Sequence, residues 1–214
     1  MSLLGSADQV SRKAFERFSD FYDNSSFINS YLARWDREII ALSAEAPLLD
    51  IGCGPGRLIH KFASSGFRDI AGVDVTLRGL QLAKGRFAQS QLDAPLALCE
   101  ALAANLPFRE NSFATIVFSG VLHHLEKPTK ALDESWRILK ERGTLIIADP
   151  YFPPLMRHFI NAVLSIYPVT GDRRFYAVSK MTSLARGAGF RKKKMINMPL
   201  AYILVFEKCS SSEL

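Results

Sequence analysis

Short apolar runs alternate along this chain with segments of helical periodicity. The runs, each flanked by turn residues, occupy positions 47–52, 69–74, 96–99, 115–119 and 144–149. Between most of them apolar residues recur at helical spacing, as Leu58, Ile59, Phe62 and Ala63 do. Runs that are apolar throughout are typical of strands covered on both faces, and strands separated by helices form parallel sheets. The pattern therefore predicts an α/β doubly wound domain.

The two ends of the chain depart from this alternation. Residues 8–42 have helical spacing with aromatic stripes, and no predicted strand precedes them. Runs 190–199 and 201–209 are strand-like, and the gap between them is too short for a helical crossover, so we expect this final pair to be antiparallel. We predict one domain over residues 1–214, with a helical lid (1–43), a cofactor-binding core (44–150) and an acceptor-side insertion with a terminal hairpin (151–214).

Length and composition narrow the class of protein. A chain of 214 residues with 48% apolar content can build one full hydrophobic core. The cysteines, Cys53, Cys99 and Cys209, lie far apart without a C-x-x-C pair, which is typical of free thiols in a reducing compartment. We see no secretory signal, and the apolar run 198–206 is too short to span a bilayer. These features predict a soluble, cytoplasmic protein.

Charge is distributed unevenly. Residues 151–194 hold nine basic side chains and one acidic side chain, Asp172. This segment is either an ordinary solvated face or a surface that meets an anionic partner. Arg173 and Arg174 precede two aromatic residues, so cationic and aromatic groups alternate as they would around an anionic ring-bearing acceptor or at an anionic lipid surface.

A glycine loop follows the first predicted strand. Gly52, Gly54 and Gly56 lie within five positions, where glycine permits a tight turn and lets a ligand approach bare backbone. Ligands of doubly wound sheets bind outside the carboxyl ends of the strands, and the helix after the loop offers a positive dipole end. The second strand ends in Asp74, whose carboxylate could accept both hydroxyls of a ribose. Together these features indicate an adenosine-containing ligand.

The spacing of the loop bears on which ligand that is. Dinucleotide folds have G-x-G-x-x-G, whereas this loop is G-x-G-x-G with Arg57 at the position of the third glycine. The variant argues against NAD and favours a ligand without a pyrophosphate.

Ordered motifs carry a family resemblance. The segments LLDIGCGPGR and GVD, followed by LPFRENSFATIVFSGVLHHL and ALDESWRILKERGTLIIADP, resemble the class I S-adenosylmethionine-dependent methyltransferases. Among the members of this family, the segments are similar to the small-molecule group that includes the ubiquinone/menaquinone biosynthesis C-methyltransferases. The resemblance is strong over 46–150 and continues through LARGAGF and AYILVFEK. It implies a Rossmann-like seven-stranded sheet, mostly parallel with an antiparallel C-terminal strand, S-adenosyl-L-methionine as cofactor and S-adenosyl-L-homocysteine as product.

The resemblance also implies positions for the cofactor. The methionine moiety would lie against the glycine loop, Asp74 would hold the ribose and Val75 would contact the adenine. Leu102 stands where the family usually has an acidic residue, so the adenine contact would come from the backbone near Ala103 or from Glu100. The cofactor-binding positions that we expect are Tyr22 as a lid residue and Asp50, Gly52, Cys53, Gly54, Gly56, Asp74, Val75, Leu102, Ala103, Ser119 and Gly120.

The chemistry of a sulfonium methyl group requires little from side chains. Holding nucleophile and methyl in line can supply about 7–11 kcal/mol of the barrier. We expect no metal, because His123 and His124 are adjacent and so should lie on different faces. A general base matters only for a hydroxyl, an acidic carbon or a protonated amine. His123, His124 and Asp149 are the candidates, each with a structural role as the alternative.

The sequence leaves other functions open. A nicotinamide-dependent oxidoreductase, a non-catalytic S-adenosylmethionine-binding protein and a methyltransferase of RNA or protein share the general fold. The residues after the fourth strand, 119–122, lack the Asn/Asp-Pro-Pro-Tyr of enzymes that methylate amino groups of nucleic acids. We therefore expect a small-molecule acceptor, anionic or aromatic, with no nucleic-acid partner, no membrane span and peripheral lipid contact as an open alternative.

Overall fold

The structure, a computed structural model, describes residues 26–43, 45–90, 92, 96–166 and 171–210. Seven strands in this part of the chain form a single sheet. They are β1 (Leu48–Ile51), β2 (Ile70–Asp74), β3 (Leu96–Glu100), β4 (Phe113–Ser119), β5 (Leu139–Pro150), β6 (Phe190–Met198) and β7 (Ala201–Lys208). Their order across the sheet is β3-β2-β1-β4-β5-β7-β6.

The strand directions follow the sequence pattern. β1 to β5 pair in parallel, while β7 runs antiparallel to both β5 and β6. Helices connect β1 to β2, β2 to β3 and β4 to β5. β6 and β7 are joined by a tight turn, as their separation in the sequence requires. The predicted antiparallel final pair and the mostly parallel seven-stranded sheet are thus confirmed.

Helices cover both faces of the sheet. They are α1 (Ser26–Leu42), α2 (Arg57–Ser64), α3 (Leu77–Ser90), α4 (Pro128–Ile138), α5 (Pro154–Ile166) and α6 (Val178–Gly187), with a 3-10 turn at Leu122–His124. Helices α1, α2 and α3 pack on one face through residues such as Trp35, Phe62 and Leu80. Helices α4 and α6 pack on the other through Leu132 and Met181. Strands covered on both sides explain why the sequence runs are apolar throughout.

The sequence predicts a helical lid over residues 1–43. The described portion, α1, packs Trp35 and Ile39 into the core. The division of the chain into lid, core and insertion remains a prediction. Among the described helices, none has the length and apolar character needed to cross a bilayer.

Candidate functional site

The carboxyl ends of β1, β2 and β4 meet at one edge of the sheet. The glycine loop follows β1, Asp74 ends β2, and Ser119 and Gly120 lie at the end of β4. The strand order reverses between β1 and β4, since β2 and β3 extend to one side and β5 to the other. This is the crevice in which doubly wound sheets bind ligands.

The three glycines of the loop do not serve the same purpose. A Cβ at Gly52 would lie 2.5 Å from Cγ2 of Val121, and one at Gly56 would lie 2.7 Å from Cβ of Ala83. Gly54 has a φ of +49°, yet a Cβ there would meet nothing within 4 Å. Gly52 and Gly56 therefore serve packing within the protein, whereas Gly54 borders open space.

Asp74 fastens the glycine loop to β2. Its Oδ2 accepts a 2.8 Å hydrogen bond from the backbone N–H of Gly54. Its Oδ1 accepts bonds from the backbone N–H and the hydroxyl of Thr76, at 2.8 and 2.6 Å. The side chain is 9% exposed. The carboxylate therefore holds the loop in shape before any ligand arrives, a role that the sequence did not reveal.

Two buried polar atoms near the ends of β1 and β4 have no hydrogen-bond partner among the described residues. They are Oδ1 of Asp50 and Oγ of Ser119. Burial raises the pKa of Asp50 to about 7, with Asp36 and Asp74 adding to the shift and Arg57 opposing it. Leaving a buried polar atom unpaired costs about 1–3 kcal/mol. Both atoms fit a ligand that supplies hydrogen-bond donors.

Arg57 has a partner outside the crevice. It forms an ion pair with Asp36 of α1, and Lys61 contacts the same carboxylate oxygen at 2.8 Å. Asp36 is fully buried. The residue that distinguishes this loop from a dinucleotide loop thus links the helix after the loop to α1.

A second cluster lies beyond the crevice, where β4 and β5 end. Nδ1 of His123 is 2.9 Å from Oδ1 of Asp149, and its Nε2 is 3.4 Å from Oδ1 of Asp172. Nδ1 of His124 is 3.0 Å from the same Asp172 oxygen. Gly120 connects the two groups of residues, because its N–H donates to the carbonyl of Ala148 at 2.7 Å.

The expectation that the two histidines lie on different faces is wrong. They fall within the 3-10 turn, and their ring centroids are 3.8 Å apart. One ligand atom each from His123, His124 and Asp172 lies within 4.8 Å of the others, a grouping that could hold a metal ion. In the sequence Asp172 stands out only as a lone acid in a basic segment, and that pattern does not predict its place beside the histidines.

Charge within the cluster is set by the carboxylates. Burial lowers the pKa of His123, but Asp149 and Asp172 outweigh this effect and raise it to about 9. Burial and the charge on His123 lower the pKa of His124. Burial would raise the pKa of Asp172, yet its bonds to the histidines hold it below the usual range. Near neutral pH, His123 is an imidazolium between two carboxylates and His124 is neutral, so this arrangement does not require an ion.

The segment that contributes Asp172 is tied to the cluster by its backbone. The carbonyl of His123 accepts bonds from the N–H groups of Arg173 and Arg174, at 2.9 and 3.0 Å. Phe175 stacks on the ring of His123 with centroids 5.0 Å apart and is only 8% exposed. Its ring therefore belongs to the cluster, while Arg174 is exposed.

The remaining expected site residues are distributed around the crevice. Val75 is half-buried beside Asp74, and Cys53 is buried, which raises the pKa of its thiol. Leu102 and Ala103 are half-buried in the loop after β3, which reaches β2 through the bond from Ala101 N–H to the Asp74 carbonyl. Tyr22 lies outside the described residues. Asp149 lies near the carboxyl end of β5. The binding roles of these residues remain predictions.

Asp74→Asn tests whether this carboxylate contributes to binding. The amide removes the charge and replaces one of the two acceptor oxygens with an NH2 donor, which weakens a bond to Gly54 or Thr76, so we expect about five- to tenfold weaker binding of S-adenosylhomocysteine. Calorimetry on the folded variant measures this. Glu100→Gln is a control at the end of β3. It removes the other carboxylate that could contact the cofactor, so comparing the two variants shows which of the two acids contributes to binding. Unchanged affinity in Asp74→Asn would remove this charge from the binding site.

Comparisons with known proteins agree with this geometry. Residues 49–147 match the family described as "Methyltransferase domain". The uncharacterized methyltransferase YcgJ of Bacillus subtilis is 33% identical over 120 residues, 55% of this chain and 47% of YcgJ. The demethylmenaquinone methyltransferase of Tropheryma whipplei is 28% identical over 161 residues, 73% of this chain and 64% of that protein. The crystal structure of YcgJ superposes with a TM-score of 0.69 at 19% identity, covering 82% of this chain and 98% of that one.

These matches agree with the motif resemblance. Residues 49–147 match a methyltransferase domain, and the chain resembles the class I S-adenosylmethionine-dependent methyltransferases, in particular the ubiquinone/menaquinone C-methyltransferases. The cofactor that this resemblance implies is S-adenosylmethionine. The chain spans between about half and two thirds of the length of the first two relatives.

Proposed function

We propose that this protein transfers the methyl group of S-adenosylmethionine to a small-molecule acceptor, with a quinol-type aromatic ring, the reduced form of a quinone, as the acceptor class. The observation that carries the proposal is the open space at Gly54, next to a carboxylate that holds the loop in shape. The similarity to enzymes named demethylmenaquinone methyltransferases supports the acceptor class. Catalysis is mainly by positioning.

The residues around the crevice fit the cofactor. Bare backbone at Gly54 admits the methionine moiety, and the ribose lies at Asp74. The unpaired oxygens of Asp50 and Ser119 match the donors of an α-ammonium group. An ammonium beside Asp50 favours the carboxylate form and so opposes the effect of burial on its pKa. The bound cofactor supplies an electrophilic methyl group on a positively charged sulfur.

The histidine cluster lies at the edge where an acceptor approaches. His123 is protonated near neutral pH, so it holds Asp149 and Asp172 together instead of accepting a proton. His124 is neutral there and 12% exposed in its side chain, which makes it the better candidate to accept a proton. For a ring carbon as nucleophile, a C–C bond forms, the C–S bond breaks and the ring proton leaves.

Two measurements test the proposal. Mass spectrometry of denatured, freshly purified protein is expected to detect bound S-adenosylmethionine or S-adenosylhomocysteine. Incubation with methyl-labelled cofactor and a short-chain demethylated naphthoquinol is then expected to give a labelled ring product. Cofactor binding without transfer to any small-molecule, RNA or protein acceptor would identify a non-catalytic binding protein. Transfer to RNA or protein alone would overturn the acceptor class.

A further inference from the structure

Helix α5 presents an apolar stripe to the solvent. None of its residues is buried, although its composition is strongly apolar. Large side chains recur along one side of the helix, within an arc of about 100° at 3.6 residues per turn. They are Leu155 (89% exposed), Met156 (45%), Phe159 (71%), Val163 (43%) and Ile166 (69%). Within the described part of the chain this is an unusual concentration, because only Leu77 and Leu200 are large apolar residues exposed elsewhere.

The opposite side of α5 is fixed to the protein. Asn161 makes a reciprocal pair of hydrogen bonds with the backbone of Phe175, at 3.0 and 2.9 Å. Phe152, just before the helix, contacts the ring of Phe175 edge-on at 4.8 Å, and Phe175 in turn stacks on His123. The stripe is therefore held outward by contacts that lead directly to the histidine cluster.

The segment that carries the stripe is basic. Residues 151–194 hold nine basic side chains, and their single acid, Asp172, lies beside the two histidines. Arg174, next to the Phe175 that Asn161 binds, is exposed. The stripe itself carries no charge. An apolar stripe on a basic segment is complementary to a surface that is anionic outside and apolar beneath.

We propose that α5 docks on the surface of an anionic lipid membrane, with Leu155, Phe159 and Ile166 inserted below the headgroups and Arg174 among the phosphates. The geometry is that of an interfacial helix lying in the plane of the membrane. A second copy of the chain fits this surface less well. In a symmetric pair two copies of the same basic segment would lie close together, and like charges across an interface repel.

This docking does not depend on the proposed reaction. A lipid-bound helix one aromatic contact away from His123 would bring lipid-soluble acceptors to the site. The surface and its charge exist without the cofactor, so the test below uses neither cofactor nor acceptor. Its failure would leave the proposed methyl transfer standing, and failure of methyl transfer would leave the docking standing.

The experiment is co-flotation of the full chain with vesicles. Vesicles of equal parts phosphatidylglycerol and phosphatidylcholine are expected to carry the protein at low salt, and vesicles of phosphatidylcholine alone to carry little. Phe159→Ser with Ile166→Ser is expected to weaken partitioning about tenfold or more, because two inserted side chains are lost. Arg174→Gln is expected to weaken it about fivefold, and only with the anionic vesicles.

The matched control is Leu200→Ser, an exposed apolar residue outside α5 that is 56% exposed. It is expected to float like the parent. Because the substituted side chains are exposed, thermal unfolding is expected to show all variants folded. Three results would each overturn the proposal: no flotation of the parent with anionic vesicles, equal flotation of the double serine variant, or a parent dimer that the serine variant dissociates while neither binds lipid.

Discussion

Replacing Gly54 with valine is expected to weaken the binding of S-adenosylhomocysteine about 100-fold or more. A Cβ at this position meets no protein atom, so the added side chain occupies only the open space that we assign to the cofactor. Forcing extra methyl groups into a close contact costs about 1–3 kcal/mol, and the upper end applies where the partner is a rigidly placed ligand. Calorimetry with the folded variant measures the loss.

The chain offers a matched control for backbone strain. Gly66, after α2, also has a positive φ, of +92°, and a Cβ there also meets nothing within 4 Å. Valine at either position should destabilise the fold by about 2 kcal/mol, because side chains are disfavoured in the left-handed region. Only Gly54→Val should lose the ligand. Equal binding by Gly54→Val and Gly66→Val would mean that the loop glycine serves the turn alone.

Replacing His123 with phenylalanine is expected to lower the free energy of unfolding by about 3–5 kcal/mol at neutral pH. The ring can still stack on Phe175, but the buried Asp149 and its neighbour Asp172 lose the charge between them. Removing one partner of a buried ion pair has this cost because the remaining charge is uncompensated. Urea unfolding measures it.

The same variant changes how stability depends on pH. Folded His123 has a pKa of about 9, whereas the pKa of an ordinary imidazole is 6.5. Its stabilising effect is therefore complete below pH 6.5 and is lost as the pH rises to 9. The pH range from 7 to 8.5 isolates the effect of His123 on stability. The pKa of Asp50 is raised to about 7, so Asp50 changes stability mainly below this range, and the raised pKa of Cys53 places its effect above the range. Within the range the parent should lose about 2 kcal/mol.

His123→Phe should remove that loss, and Asp149→Asn should reduce it. His60→Gln is the control. Burial lowers the pKa of His60, so this residue makes stability rise with pH, and only below pH 6.5. The decline between pH 7 and 8.5 should therefore persist in His60→Gln. A parent whose stability is flat between pH 7 and 8.5 would contradict the proposed charge on His123. So would a decline that persists unchanged in His123→Phe.

The sheet could be predicted from the sequence because its signals are local. Residues 145–148 are all apolar since β5 lies inside the sheet between β4 and β7, and the short gap at Pro199 forces an antiparallel pair. The glycine loop could be located for the same reason, because turn residues stand directly between a strand and a helix. Each of these features is encoded within about ten neighbouring residues.

The histidine cluster could not be predicted because its parts are distant in the chain. Asp172 reaches His123 from a segment 49 positions later, and nothing in its own neighbourhood indicates that contact. The 3-10 turn that brings His123 and His124 together was also missed, because periodicity cannot detect so short an element. Similarly, the loop-fastening role of Asp74 depends on a bond across 20 residues.

The position of β7 between β5 and β6 has a consequence for biosynthesis. β6 is synthesised before β7. It has no neighbour in the sheet until β7 pairs with β5, along seven residue pairs. Until then the nascent chain exposes the edge of its longest strand, an apolar template for pairing with other chains. The interval between the synthesis of residue 150 and that of residue 208 is therefore when this protein is most exposed to aggregation and in most need of a chaperone.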